Sequence, residues 1–389
     1  MNREWDVIIV GARVAGASTA MLLARAGLRV LCLDRSRPGS DTVSTHALMR
    51  AGVLQLQRWG LREALYEAAT PRVQRTIFHY AEDTIAVSIK PSHGVESLLA
   101  PRRTVLDPLL VDHATRAGAT FHWGSSVIGL HRDAAGNVAG VIVKDRRRPT
   151  SWVAQAPIVI GADGRNSTVA AHVAAAPVAT GRYASSFVYG YWSGLPTAGY
   201  EWVYRPRLTA GVIPTNGGLT CVFVGARPSD LDSAVRDSGS VPATFDRLAA
   251  AAGLHPRLAA ATQVEPLRFV RGLPAGYLRQ ANGSGWALVG DAGHWLDPMS
   301  THGMTGALRD ATLLAQALIA APLGSVEMRE SLSNYQAMRD KLSMPMLQIS
   351  DEIASYEWDL PRVRSLVRSL SSAMTDEVEA LSWAESAAS

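Results

Sequence analysis

The sequence predicts an α/β protein in which a parallel-sheet unit is interleaved with an antiparallel sheet and followed by C-terminal helices. Three observations carry this. Residues 5–35 read as strand, glycine-bearing turn, helix and second strand, the βαβ pattern of a Rossmann-like unit. Residues 187–226 read as short aromatic and β-branched strands separated by Pro and Gly turns. From residue 327 onward, charged and apolar residues alternate at helical spacing, with a break near "WDLPR".

The first unit opens with "DVIIV", an apolar run without alternation, as expected of a strand covered on both faces. Residues 14–26 follow as a helix with Ala17, Met21 and Ala24 on one side, and "LRVLCLD" is the second strand. The turn between them is Gly11-Ala12-Arg13-Val14-Ala15-Gly16. A dinucleotide-binding loop carries Gly at its first, third and sixth positions. Gly11 and Gly16 fill the first and the last. Arg13 stands where backbone would approach a pyrophosphate, and its cation offers the phosphates a partner of its own. Asp34 ends the second strand, where an acid accepts hydrogen bonds from an adenosine ribose. Together these features point to nucleotide binding.

Further along, residues 73–90 read as a strand pair turned at Glu82-Asp83, and 127–155 as a β-meander turned at "DAAGN". Residues 157–168, "PIVIGADGRNST", are a buried strand followed by Gly161, Asp163 and Gly164. The antiparallel strands are 187–195, 200–206, 209–214 and 219–226, with turns at Pro196, Pro206 and "NGG", and 241–262 is alanine-rich and helical. Residues 285–315 form a strand, Asp291, a loop through Pro298 and a helix opening near Gly303. Such a helix points free N–H groups and the positive end of its dipole at whatever precedes it.

Composition bounds the alternatives. The chain has 389 residues, 47% hydrophobic and 19% charged, a globular balance sized for two or three domains. Net charge is +4 but the basic residues are scattered, and the run Arg146-Arg147-Arg148 reads as a solvated turn, so no nucleic-acid partner is expected. Cys32 and Cys221 lie in apolar strand-like runs and read as buried free thiols in a reducing compartment. No signal pattern is present, and no apolar run reaches the roughly 20 residues of a membrane span, so a cytoplasmic location is expected. Neither CxxC nor HExxH occurs, so no metal is expected, and the absence of GxSxG argues against a hydrolase elbow.

At these residues the chain resembles the FAD-dependent monooxygenase superfamily typified by p-hydroxybenzoate hydroxylase, the group A flavoprotein monooxygenases, and within it a bacterial FAD-dependent oxidoreductase subgroup. Four motifs keep the family's order: the glycine loop with its strand-end acid, Arg103 with Leu106-Asp107 and Leu110 in "PRRTVLDPLL", "GADGRNS", and "GDAGHWLDPMSTHG". Two departures are Arg13 for a glycine and Thr301-His302 where many members have Gly-Gln. The resemblance implies a Rossmann-like FAD-binding domain (1–70, 101–180 and 275–325) interleaved with an antiparallel-sheet substrate-binding domain (71–100 and 181–274). A C-terminal helical segment (326–389) follows, read as a packing or homodimer face.

The resemblance further implies where FAD would lie. One group of contacts is Gly11, Arg13, Ala15, Gly16, Asp34 and Arg35. Others are Ser44, Thr45 and His46 after the second strand, Arg103, Val127 and Asp163. The last group is Gly290, Asp291, Pro298, Gly303 and Met304. The tripeptide Ser-Thr-His occurs twice, at 44–46 and 300–302, and both copies map to loops beside the flavin, so His46 and His302 are candidate catalytic residues. The expected reaction is that of a monooxygenase. FAD is reduced by NAD(P)H as a transient reductant, O2 is captured as a C4a-hydroperoxide, and a bound small molecule is hydroxylated. Tyr189, Tyr191, Trp202, Tyr204 and Trp295 would line the pocket, which suits an aromatic or bulky apolar substrate.

The alternative is an FAD-dependent reductase of prenyl-chain double bonds. "YEWVY" (200–204) is similar to the Tyr-x-Trp-x-Phe-Pro of geranylgeranyl reductases, although Arg205 replaces the proline. The Trp-x-Trp-x-Ile-Pro stretch and lysine of the flavin-dependent halogenases are missing.

Overall fold

The computed structural model describes residues 4–145 and 150–386, so Arg146–Arg148 lies outside the described residues. A six-stranded sheet runs in the order 282–283, 286–288, 158–161, 7–10, 30–34 and 120–123. All neighbours are parallel except the edge pair Asn282–Gly283 with Trp286–Leu288. Alternate side chains of Val7–Val10 enter different layers. Val7 and Ile9 pack in the core that holds Ala17 and Met21 of helix Val14–Arg25, Leu106 and Leu110 of helix Arg103–Arg116, and Leu308 and Ala311 of helix Gly303–Ile319. Ile8 and Val10 pack against the meander Ser125–Arg132, Val138–Asp145 and Trp152–Gln155. Both faces are covered, which is why the strand reads as an unbroken apolar run.

The second sheet has eight strands. Its main path is 262–263, 186–193, 219–226, 208–215, 200–205, 75–80 and 83–88, with Arg268–Val270 also paired to Ser186–Ser193. It is antiparallel apart from the parallel pairing of Tyr200–Arg205 with Arg75–Tyr80. Gly217 and Gly218, at φ 72° and 67°, allow the reversal at "NGG". Tyr80 pairs with Asp83, so the first hairpin turns at Ala81-Glu82, one residue earlier than expected.

The two faces of this sheet are chemically distinct. Phe187, Tyr189, Tyr191, Tyr200, Trp202 and Tyr204 all lie on the inner face. Val188, Trp192, Val203, Val222 and Val224 lie on the outer face with Leu231 and Phe245 of the helices Pro228–Ser238 and Val241–Ala251. Helix Val326–Ser355 ends at Tyr356, which has φ 53°, and the chain turns back into helix Leu360–Ser386. Val363, Leu366, Val367 and Leu370 of that last helix join the inner-face cluster. The C-terminal segment is therefore a packing face within the chain. No helix among the described residues is long and apolar enough to cross a membrane.

Candidate active site

The glycine loop is fixed by sterics. Gly11 has φ 102°, and a Cβ there would lie 2.4 Å from the carbonyl oxygen of Ala162. A Cβ on Gly16 would lie 1.8 Å from the carbonyl oxygen of Gly11. Arg13 is different. Its backbone is extended (φ −90°, ψ −164°), a conformation open to any residue, so the missing glycine costs no strain. Its Nη2 donates to Ser40 Oγ at 3.2 Å, and its Nη1 lies 3.5 Å from Asp107. Arg103 forks onto the same carboxylate at 2.7 and 2.9 Å. Two cations of the cleft wall thus share one buried acid behind it.

Asp34 accepts from the backbone N–H of Ala12 at 2.8 Å and from Ser36 N–H and Oγ at 2.7 and 2.5 Å. It therefore ties the glycine loop to the end of the second strand and keeps acceptor capacity for a ribose. Asp34→Ala should weaken FAD binding about 10- to 150-fold, the equivalent of roughly 1.5–3 kcal/mol for a charge-assisted hydrogen bond, while the fold survives. A fluorescence titration showing an unchanged dissociation constant would contradict this role.

The loop opens into a cleft of about 560 Å³ between the parallel sheet and the inner face of the antiparallel one. Gly11, Arg13, Ala15, Asp34 and Arg35 line it, as do Ser44, Thr45, His46, Arg103, Val127 and Asp163. Asp291, Pro298, Gly303 and Met304 complete the expected set. Gly16 and Gly290 do not line it. A Cβ on Gly290 would meet Ala15 Cβ at 2.8 Å, so these two glycines shape the loop from behind. Helices Val14–Arg25 and Gly303–Ile319 both start on the cleft, and neither has a side-chain cap, which leaves their first N–H groups for a ligand.

Asp163 is half committed elsewhere. It accepts from Ser167 Oγ at 2.5 Å and Thr168 N–H at 2.6 Å at the start of helix Thr168–His172, and burial holds its carboxyl above the ordinary value. Asp291 has its carboxyl raised by burial too, and no side chain or backbone N–H among the described residues donates to that carboxylate. The side chain is half-buried on the cleft wall, so its acceptors are open to a ligand there.

The two Ser-Thr-His copies share one local hydrogen bond but not one backbone turn, since the left-handed residue is His46 (φ 69°) in the first and Thr301 (φ 52°) in the second. Ser44 Oγ accepts from His46 N–H at 3.0 Å, and Ser300 Oγ accepts from His302 N–H at 3.3 Å. Both histidines are buried at the cleft edge. His46 Nε2 lies 2.5 Å from the Tyr191 hydroxyl, and burial, with Arg102 and Arg103 nearby, pushes its pKa down to about 3. It is a neutral imidazole at physiological pH. His302 lines the cleft as well, with Nδ1 without a protein partner. Its Nε2 is turned to Glu377 at 3.1 Å, because the C-terminal helix packs behind the loop.

The expected aromatic lining is corrected by the structure. Trp295 lines the cleft, but Tyr189, Tyr191, Trp202 and Tyr204 do not. Tyr191 is committed to His46, and Tyr189 packs edge-on against Tyr191 beside Arg268. Trp202 packs on Phe223, while Tyr204 stacks on Tyr80 and meets Trp358 at 6.2 Å. The stripe is on the inner face as its alternation indicates, but the C-terminal helices cover most of it. Phe187, at the end of the same stripe, reaches the cleft instead, together with Val270, Leu273 and Leu296. The period-2 pattern could have pointed to Phe187; nothing local marked Val270 or Leu273.

A glycine loop under a βαβ unit, two uncapped helix starts and a half-buried acid open to the cleft form a site for a phosphate-bearing dinucleotide. Residues 4–350 match the FAD binding domain family, and the chain belongs to that family. It is an FAD-dependent oxidoreductase of the monooxygenase superfamily. It is similar to kynurenine 3-monooxygenase of Salinispora tropica, at 26% identity over 96% of this chain and 84% of that protein. It is also similar to squalene epoxidase of Candida albicans, at 26% identity over 81% of this chain and 72% of that one. In fold it is similar to PqsL, a probable FAD-dependent monooxygenase of Pseudomonas aeruginosa. The TM-score is 0.79 and identity 18%, over 94% of this chain and 99% of the other.

Proposed function

We propose that the protein hydroxylates an aromatic or bulky apolar small molecule, using FAD, O2 and NAD(P)H as transient reductant. The observation that carries this reading is the composition of the cleft wall. Away from the glycine loop one stretch of the wall is Phe187, Val270, Leu273, Trp295 and Leu296, an apolar surface beside the residues that fit FAD. Such a wall excludes water and accepts an apolar ring.

The residues present suit the cofactor. The start of helix Val14–Arg25 and Arg13 would meet the charge of the pyrophosphate, Asp34 would take the ribose, and Asp291 would take the hydroxyls of the ribityl chain. Bound FAD supplies the electron transfer and oxygen chemistry. The protein's part is to orient and shield. Neutral His46, held by Tyr191, offers a hydrogen-bonding ring at the cleft edge, and Arg165, with its guanidinium 4.8 Å from the Trp295 ring, braces the apolar wall. In this reading segments 1–70, 101–180 and 275–325 hold the cofactor, and 71–100 with 181–274 close over the substrate.

The similarity of "YEWVY" to prenyl-chain reductases lends that alternative no support. Tyr200, Trp202 and Tyr204 lie outside the cleft lining, within the inner-face core. The test is incubation with NADPH or NADH, isotope-labelled O2 and a library of phenols, aromatic acids and indoles. Labelled oxygen in a hydroxylated product is expected. Saturation of a prenyl chain with no oxygen incorporated would sink the hydroxylase reading.

A further inference from the structure

Behind the cleft floor lies a cluster of buried charges that cofactor binding alone does not explain. His302 precedes helix Gly303–Ile319, whose first residues Gly303 and Met304 line the cleft. The His302 Nε2 atom is 3.1 and 3.0 Å from the two carboxylate oxygens of Glu377. Glu377 is fully buried on helix Leu360–Ser386, beyond the span 4–350 that matches the family. Its carboxylate also accepts from Arg309 Nη1 at 2.9 Å.

Arg309 in turn forks onto Asp310 at 2.9 and 2.8 Å and donates to Ser343 Oγ at 2.7 Å. Asp310 lies 2.8 Å from His294 Nδ1. Arg339, also buried and paired with Asp340, adds its charge beside Asp310. Buried carboxylates need donors and opposite charge around them, and an imidazole nitrogen faces each of Asp310 and Glu377. Glu377 is the carboxylate that faces His302.

We propose that Glu377 is a positioning residue of the active site, through which the C-terminal helix fixes the ring and the proton of His302 at the head of the cofactor-facing helix. Nε2 donates to Glu377, which leaves Nδ1, buried and without a protein partner, as the ring atom on the remaining side. The helix outside the family match is thus part of the site, although it touches no ligand.

The inference rests on the reading that the cleft holds FAD, and its test separates the two. Glu377→Gln keeps the side-chain volume. Its amide oxygen must accept from Arg309, which is only a donor, so its NH2 group faces His302 and requires Nε2 as an acceptor. Heteronuclear NMR of the histidine ring nitrogens, assigned with His302→Gln, should show protonated Nε2 in the wild type and a switch to the Nδ1–H tautomer in Glu377→Gln. A folded Glu377→Gln protein with an unchanged His302 tautomer overturns the proposal. Should that variant fail to fold, the wild-type spectrum decides by itself: a protonated Nε2 supports the link, and a ring protonated only at Nδ1 overturns it. The NMR readout needs neither turnover nor flavin, so loss of the hydroxylase or FAD reading would leave it standing or falling by itself.

Discussion

Glu377→Ala is expected to lower the free energy of unfolding by about 3–5 kcal/mol, the range for breaking a buried ion pair and leaving its partners uncompensated. Glu377 is fully buried with Arg309 and His302 on its carboxylate, and truncation would strand both. Glu379 is the control. Two residues along the same helix it pairs with His93 at 3.0 Å, but it is 62% exposed, and Glu379→Ala should change stability by no more than about 1 kcal/mol. Chemical denaturation of both variants reads the difference directly. Equal, small effects would mean that the buried cluster does not anchor the C-terminal helix.

The pH dependence follows with a definite sign. Burial works against the Glu377 charge, but His302 and Arg309 outweigh it, so its carboxyl titrates below the ordinary value. A carboxyl depressed in the folded state contributes stability above its unfolded value, about 4.3, and loses it as pH falls through the folded one. The gap between wild type and Glu377→Ala should therefore be full at neutral pH and shrink in acid below that value.

Gly16→Ala carries the second large expected effect, this time on cofactor binding. The added Cβ would sit 1.8 Å from the Gly11 carbonyl oxygen, and that contact is backbone, so the loop must move. Overpacking of this kind costs about 1–3 kcal/mol or more, which translates to a loss of FAD affinity of roughly 5- to 150-fold. Arg13→Ala is the informative contrast. Its backbone is already extended, so the substitution removes side-chain contacts to Ser40, Asp107 and the phosphates without moving the loop, and should cost less. A Gly16→Ala protein that binds FAD as tightly as the wild type would show that the loop is not held as its packing indicates.

What was legible in the sequence is what local physics dictates. The strand Val7–Val10, the turn at Gly11, the helix beginning at Val14 and the acid at Asp34 each follow from neighbours within a few residues, and the structure has them in those places. The helix starting at Gly303 and the antiparallel strands were readable for the same reason. The aromatic stripe was half legible. Its alternation puts Tyr189, Tyr191, Trp202 and Tyr204 on one face, but no local signal says that Trp358 and the helix beginning at Leu360 cover that face. His302 is half legible in the same way. Its position before the helix was apparent, while its partner Glu377 lies 75 residues away in an ordinary amphipathic helix. Arg13 shows the opposite case, where the sequence departs from the glycine pattern and the backbone explains why it can.

The most direct test of the account is a titration of the purified apoprotein with FAD and, separately, FMN, followed by flavin fluorescence and absorbance. One noncovalent FAD per chain is expected, with FMN at least about 10-fold weaker, since FMN lacks the adenosine ribose and second phosphate that Asp34 and the glycine loop would hold. A colourless protein that cannot be reconstituted, or one that binds the two flavins equally well, would contradict it.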